Sequence, residues 1–496
     1  MITKRQVAWG MGIAVAISIL LHLPFLNLPP YSQHTWRQCT TLTVAENFYE
    51  EDMNIFLPRV NQRYEGNGIT GSEFPLYEWL IAATYQVTGK AWWVHRIWSF
   101  LWTVLGAWAI AQISRRWWKS QASALLAFVF YLFSPELFYD GWIALPDPMA
   151  LALVLTGFYY FDRWWETRKD RLLIPSAFFF ILGGTIKLQY LGIGFLVLGM
   201  IVRDWKNLHL RIWLRLILFG GLVALIPIQW YRYSATLIQM NGLYDFGLDT
   251  KPAENLSQLL YVLKKNLLSD LPELLLGYVG TAGFLFLGFL FLRKGAGHRH
   301  PLFWPFLFFV LGFWGYHLME IQVLEHHQYY MLPYLILLVP VAARGIDLLA
   351  RNQWKFLGLF LGLQIILATA RILPSRFAND DKMIPDAFWN TESREALRRA
   401  VPDDALIMTG PDESITINLF FLHKKGWGYN NKSMIMDTLY GSGKPNIEDA
   451  INRGCKYLIT SDSHQDLMDL GVQPYLKDQI YYTDGFSVYA LKPREE

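Results

Sequence analysis

Charge is scarce in this chain of 496 residues: Asp, Glu, Lys and Arg make up 17%, against 53% hydrophobic and 16% aromatic residues. A chain so poor in charge is a membrane protein rather than a string of soluble domains. Its net charge of +3 is too small to imply nucleic acid as a partner. Cysteine is nearly missing. Cys39 and Cys455 stand far apart, fit no metal spacing and read as unpaired small residues before they read as a disulfide. No repeat of fixed period and no low-complexity linker is present. There is no phosphate-cradling glycine loop either: "YGSGKPN" has the glycines and the lysine without a following helix at Walker spacing. Few charges fall in mid-span and no two halves match, which argues against a transporter. The first apolar run, Val7 to Leu26, follows Lys4 and Arg5 but precedes no small-residue cleavage site. It is read as a retained anchor rather than a signal peptide.

What the chain does have is apolar runs long enough to approach the roughly 30 Å of a bilayer core. They lie near 7–26, 93–113, 121–138, 148–162, 172–184, 189–202, 212–230, 273–292, 301–318, 329–349 and 355–371, giving about eleven helices, two of them short. With the N-terminus in the cytoplasm, the inner loops become "SRRWWKS", "DRWWETRKDR", "RDWKNLHLR", "RKGAGHRH" and "RNQWK". The outer loops "SPELFYDGWIALPD" and "MEIQVLEHHQ" hold no Lys or Arg, so the positive-inside rule selects that orientation. The expected fold is a polytopic α-helical membrane domain over 1–373, with a long first outer loop at 27–92, followed by an extracytoplasmic soluble α/β domain over 374–496.

In that last stretch "DALIMTG", "CKYLITS" and "FSVYALK" read as strands. "TESREALRRA" and "NIEDAINRG" read as helices with Thr391 and Asn446 as N-caps. Within the first loop, Leu42, Ala45, Phe48 and Tyr49 share one helical face and Glu46 and Glu50 another, a pattern suited to a helix lying flat on the bilayer. "PLYEWLIAATYQ" reads as a second short surface helix.

The chemistry-bearing residues gather on the outer face. Asp147 in "PDPMALALVL" sits at a helix mouth, where a carboxylate stays ionised; buried at mid-bilayer it would cost about 3 kcal/mol. An acid favoured by the helix dipole is the plainer reading of it. Lys187 lies in the short turn of "GGTIKLQY" and reads equally as a snorkelling lysine. Glu320, Glu325, His326, His327, Tyr329 and Tyr330 precede a helix at a spacing that fits no zinc motif. A divalent metal is possible there but nothing in the sequence requires one. Arg37, Gln38 and Glu73 complete the inventory. Transfer of a sugar from a lipid phosphate needs such groups: a carboxylate to take the acceptor proton, and cations and hydrogen-bond donors to hold the departing phosphate.

The segments "TWRQCTTLTVAENFY", "FLPRV", "GSEFPLYEWL", "PDPMALALVL", "TIKLQYLGIGF" and "HHQYYMLPYLILLVP" occur in this order over most of residues 1–350. They resemble the multi-spanning GT-C glycosyltransferases, in particular the family of protein O-mannosyltransferases and lipid A aminoarabinose transferases. The resemblance implies an inverting transferase that takes its sugar from a polyprenyl phosphate at the outer face of a bacterial cytoplasmic membrane and passes it to an envelope glycan, lipid or protein. It assigns Asp147 and Glu73 as candidate catalytic carboxylates. Arg37, Gln38, Lys187, His326, His327 and Tyr329 become candidate ligands of the donor phosphate or sugar. One departure matters: relatives carry an acid pair in the first loop where this chain has Arg37 and Gln38, and a site that is often Asp is Thr40. Glu46 is a further candidate base, although an exposed helix-face glutamate is the plainer reading. Two alternatives stay open: a ligase or polymerase using a diphosphate-linked donor, and a catalytically inactive homologue.

Overall fold

The computed structural model describes residues 2–64, 66–241, 250–294, 300–351, 353–378, 384–412, 414–437 and 446–493. The segment "YGSGKPN" lies outside these, apart from Asn446. The chain divides into two compact units. One comprises Met1–Asn27, Trp92–Tyr231 and Leu248–Ala378, and the other Leu28–Ala91, Arg232–Gly247 and Asn379–Glu496.

The first unit is helical. All eleven apolar runs fall in helices, and among the described residues six helices are long and apolar enough to cross a membrane: Lys4–Phe25, Trp93–Trp118, Leu188–Asn207, Leu210–Asn241, Gln328–Leu349 and Trp354–Phe377. A seventh span is counted if Leu256–Leu275 and Gly277–Arg293, bent by 114°, act as one. Gly277 makes that bend with φ +67°, a conformation in which a side chain would be strained. The remaining runs lie in helices that are shorter, or that carry polar load: Asp147–Thr167 contains Asp162, Arg163 and Glu166 besides Asp147. This helix packs against Trp93–Trp118 and Leu173–Ile186. The second contact is close because of Gly183, where an added Cβ would stand 2.6 Å from the Val154 side chain and 3.1 Å from the Ala150 carbonyl oxygen. Backbone proximity there fixes the helix that begins at Asp147 relative to the one that ends before Lys187.

The second unit contains a five-stranded sheet: β1 (Leu406–Gly410), β2 (Lys425–Gly428), β3 (Tyr457–Thr460), β4 (Leu476–Thr483) and β5 (Phe486–Leu491). Their order is β2-β1-β3-β5-β4. β1 pairs in parallel with β2 and β3, while β5 pairs antiparallel with β3 and β4, an antiparallel edge on a parallel core. Both first-loop helices exist, as Thr35–Glu50 and Leu76–Thr88. The predicted membrane-facing side of the former does not face lipid. Leu42, Ala45 and Phe48 are buried, and Phe48 joins one core with Tyr64, Met408, Trp427, Leu458 and Tyr489. An apolar stripe buries itself wherever a partner is offered, and the sequence pattern alone does not say which. The helix Thr391–Arg399 starts one residue earlier than expected: Asn390, not Thr391, is the N-cap and accepts from the Glu392 N–H at 2.9 Å. Cys39 and Cys455 are both free and buried.

Candidate active site

In the first unit, Asp147 occupies the opening turn of its helix and is 0% exposed. Lys187 leaves the preceding element in an extended conformation, φ −153° and ψ 111°, so the chain turns there and enters the short 3-10 segment Leu188–Ile193. That turn delivers two donors to one carboxylate: Lys187 Nζ lies 2.8 Å from Asp147 Oδ2, and Tyr190 OH donates to Oδ1 at 3.0 Å. The Lys187 ammonium also stands 4.9 Å from the ring centroid of Tyr329 and 4.8 Å from that of Tyr330, within cation–π range. Both rings come from the segment Gln328–Tyr334.

Two further acids lie in this unit, on the short helix Pro135–Asp140. Glu136 and Asp140 are four residues apart, hence on one face, and both are buried. Glu136 Oε2 faces Arg376 at 3.5 Å. Among the described residues, neither oxygen of Asp140 has a hydrogen-bond partner. Burial, and then the neighbouring Glu136, push the Asp140 carboxyl well above the usual carboxylate range. Two acids at helical spacing in a loop free of Lys and Arg are the sequence signal of this pair, which, like Tyr190, is not among the residues expected from the sequence.

Of the six first-unit residues quoted before the helix at Leu335, the structure brings Tyr329 and Tyr330 to the lysine. His327 lies 5.7 Å from the Tyr329 ring and 6.2 Å from the Tyr330 ring. His326 is separate: its side chain is 72% exposed and faces Glu325 at 3.9 Å. Glu325 accepts from Gln258 at 3.0 Å.

In the second unit, Arg37 and Glu73 are paired at 2.8 Å. Together with Thr40, Thr41, Thr70, Ser72 and Glu78 they line a cavity of about 10 Å³, room for about one water. Gln38 turns inward, donating to the Tyr31 and Gln33 carbonyls at 3.1 and 3.2 Å. Thr40 donates to the Trp36 carbonyl at 3.0 Å, as a helical threonine does. Glu46 is engaged elsewhere. His423 meets Glu46 at 3.1 Å through Nδ1 and Glu50 at 3.3 Å through Nε2, and Lys90 reaches Glu50 at 2.8 Å and Glu46 at 3.5 Å. Glu46, Glu50 and His423 place ligand atoms within 4.8 Å of one another. With both imidazole nitrogens and an ammonium already facing the two carboxylates, the group reads as a neutral clasp of two acids and two cations rather than a metal centre.

Residues 72–231 match the family model for dolichyl-phosphate-mannose-protein mannosyltransferase. No curated protein matches in sequence. Among solved structures, ArnT from Cupriavidus metallidurans in the apo state is similar with a TM-score of 0.67 at 11% identity, covering 98% of each chain. The same protein bound to undecaprenyl phosphate gives 0.61 at 12% identity, covering 96% of this chain and 97% of that one. The Archaeoglobus fulgidus oligosaccharyltransferase, tethered to an acceptor peptide containing the NVT sequon, gives 0.54 at 12% identity, over 100% of this chain and 74% of that one. The chain is thus a multi-pass membrane protein with the fold of the GT-C glycosyltransferases, as its motifs led one to expect.

Proposed function

We propose that the protein transfers a sugar from a polyprenyl phosphate to a cell-envelope acceptor, with inversion, at the outer face of a bacterial cytoplasmic membrane. The observation that carries this reading is the buried trio of Asp147, Lys187 and Tyr190 beside two tyrosine rings. In such a transfer the acceptor oxygen bonds to the anomeric carbon as the carbon–phosphate oxygen bond breaks. The acceptor proton goes to a carboxylate, and the polyprenyl phosphate leaves with the electron pair. Asp147 is the carboxylate in place for the proton. An ammonium has three N–H donors, so Lys187 can hold Asp147 and a phosphate oxygen at once, neutralising charge as it develops on the leaving group.

Glu73, paired with Arg37 at 2.8 Å, is the second candidate for that role. That the Cupriavidus protein was captured with undecaprenyl phosphate supports the donor class, and the Lys- and Arg-bearing loops support a cytoplasmic N-terminus. The test is release of polyprenyl phosphate by purified protein from a panel of undecaprenyl-phosphate sugars, with an envelope extract as acceptor. Acceptor-dependent release is expected. Consumption of diphosphate-linked oligosaccharide instead would replace this reading with a ligase or polymerase.

A further inference from the structure

The helix Asp147–Thr167 ends on Arg168, which takes φ 55° and ψ 23°. That left-handed conformation at a helix end is ordinarily left to glycine, so a charged side chain is kept there at a cost in strain. Its guanidinium carbon lies 4.4 Å from the ring centroid of Trp165 and 5.1 Å from that of Trp164, two buried rings. The rings hold the cation without giving its N–H groups an acceptor. Among the described residues, Arg168 Nη1 is buried and has no hydrogen-bond partner. The carboxylates nearby are taken. Asp204 accepts from Trp165 Nε1 at 2.8 Å and faces Arg203 at 2.7 Å, while Asp170 is paired with Arg215 and lies 3.4 Å from Trp164 Nε1.

Charge at this junction is one-sided. Residues 168–171 and 203–215 carry seven Lys and Arg against two Asp, and Arg203 and Arg215 both act on Arg168 as like charges. Lys169, Arg171 and Lys206 are exposed, the last standing 6.0 Å from the exposed ring of Trp205. A buried donor that lacks an acceptor, among cations that repel it, calls for an anion, and a guanidinium fork matches phosphate. The adjoining helices say which kind of phosphate. Ile174 opens the helix Leu173–Ile186, and Leu210 and Leu214 open Leu210–Asn241. These three side chains are 74%, 73% and 58% exposed, so apolar surface suited to acyl chains begins where the cations end, the arrangement of a lipid headgroup site.

We propose that this junction binds the phosphate of an anionic phospholipid at the Arg168 guanidinium, with Lys169, Arg171 and Lys206 around the headgroup. The proposal does not rest on the transferase reading. The test uses the full chain in nanodiscs of phosphatidylcholine with a graded fraction of phosphatidylglycerol, at roughly 300 mM salt so that general surface attraction is screened. Melting temperature is expected to rise with phosphatidylglycerol and to saturate. Arg168→Gly adopts the left-handed conformation without strain, and Arg168→Gln removes the charge while keeping a long polar side chain. Each is expected to need about tenfold more phosphatidylglycerol for half of the rise. Lys119 is the matched control, an exposed cation at φ 52° after the helix Trp93–Trp118. Lys119→Gly is expected to stay within about threefold of the parent, because a screened surface charge contributes little. No response in the parent, a parental response in both Arg168 variants, or an equal loss in Lys119→Gly would overturn the proposal. So would a full rise on adding glycerol phosphate to phosphatidylcholine discs, which would make the ligand a free phosphate.

Discussion

The two units use charge in opposite ways. In the first, a carboxylate with no exposed surface is held by one ammonium and one phenol, and a second buried acid, Asp140, has no hydrogen-bond partner among the described residues. In the second, three acids of the first loop are closed into pairs: Glu73 with Arg37, and Glu46 and Glu50 with His423 and Lys90. Closed pairs near the surface hold segments together and contribute little else. Desolvated, sparsely satisfied acids are costly to keep and are found where chemistry is done. The difference fits the proposal that places the reaction in the first unit and leaves cohesion to the first-loop acids.

That contrast can be broken most sharply at Asp147. Asp147→Asn keeps the shape and removes the proton acceptor, so release of polyprenyl phosphate should fall by ~10²–10⁴-fold, read as turnover at saturating donor. Next comes Lys187→Ala, which leaves Asp147 as an uncompensated buried charge; thermal or denaturant unfolding should show a loss of about 3–5 kcal/mol, and turnover should fall with it. Asp140→Asn should change stability by less than about 1 kcal/mol, because a carboxyl whose burial favours the uncharged form is replaced by an amide of the same shape. A large loss of turnover in a stable Asp140→Asn protein would instead show that its proton moves during the reaction.

The smallest effect belongs to the clasp. Hydrogen bonds to Glu46 and Glu50 pull His423 up to about 9, against an ordinary value near 6.5. Burial would raise the Glu50 carboxyl, but hydrogen bonds from His423 and Lys90 outweigh it and hold it at about 2. A histidine whose value is raised on folding contributes stability in full below about 6.5, and loses it as pH rises through about 9. Melting temperature should therefore decline modestly between pH 7 and pH 10, with a smaller decline in His423→Gln. Equal slopes in parent and variant would mean that the histidine carries no part of it.

Much of the first unit was legible in the sequence, because an unbroken apolar run has few ways to fold in a membrane. All eleven runs became helices, and Asp147, Lys187 and Tyr329 were singled out from their places at helix mouths. What sequence could not show was their meeting: Asp147 and Lys187 are 40 residues apart, and a turn of 3-10 geometry brings Tyr190 in. The second unit was less legible. β2 and β4 were not anticipated; the first is only four residues, and the second alternates poorly, being exposed along most of its length. The partnership of the first loop with the C-terminal segment depends on contacts such as Glu46 to His423, 377 residues apart. No local pattern reports those.

The most direct measurement sets the two carboxylates against each other: acceptor-dependent release of polyprenyl phosphate by the parent, Asp147→Asn and Glu73→Gln, at equal folded protein. The account predicts that Asp147→Asn loses release by orders of magnitude, while Glu73→Gln keeps it to within about tenfold. Full release by Asp147→Asn alongside silence from Glu73→Gln would contradict it, and would move the reaction's base to the first loop.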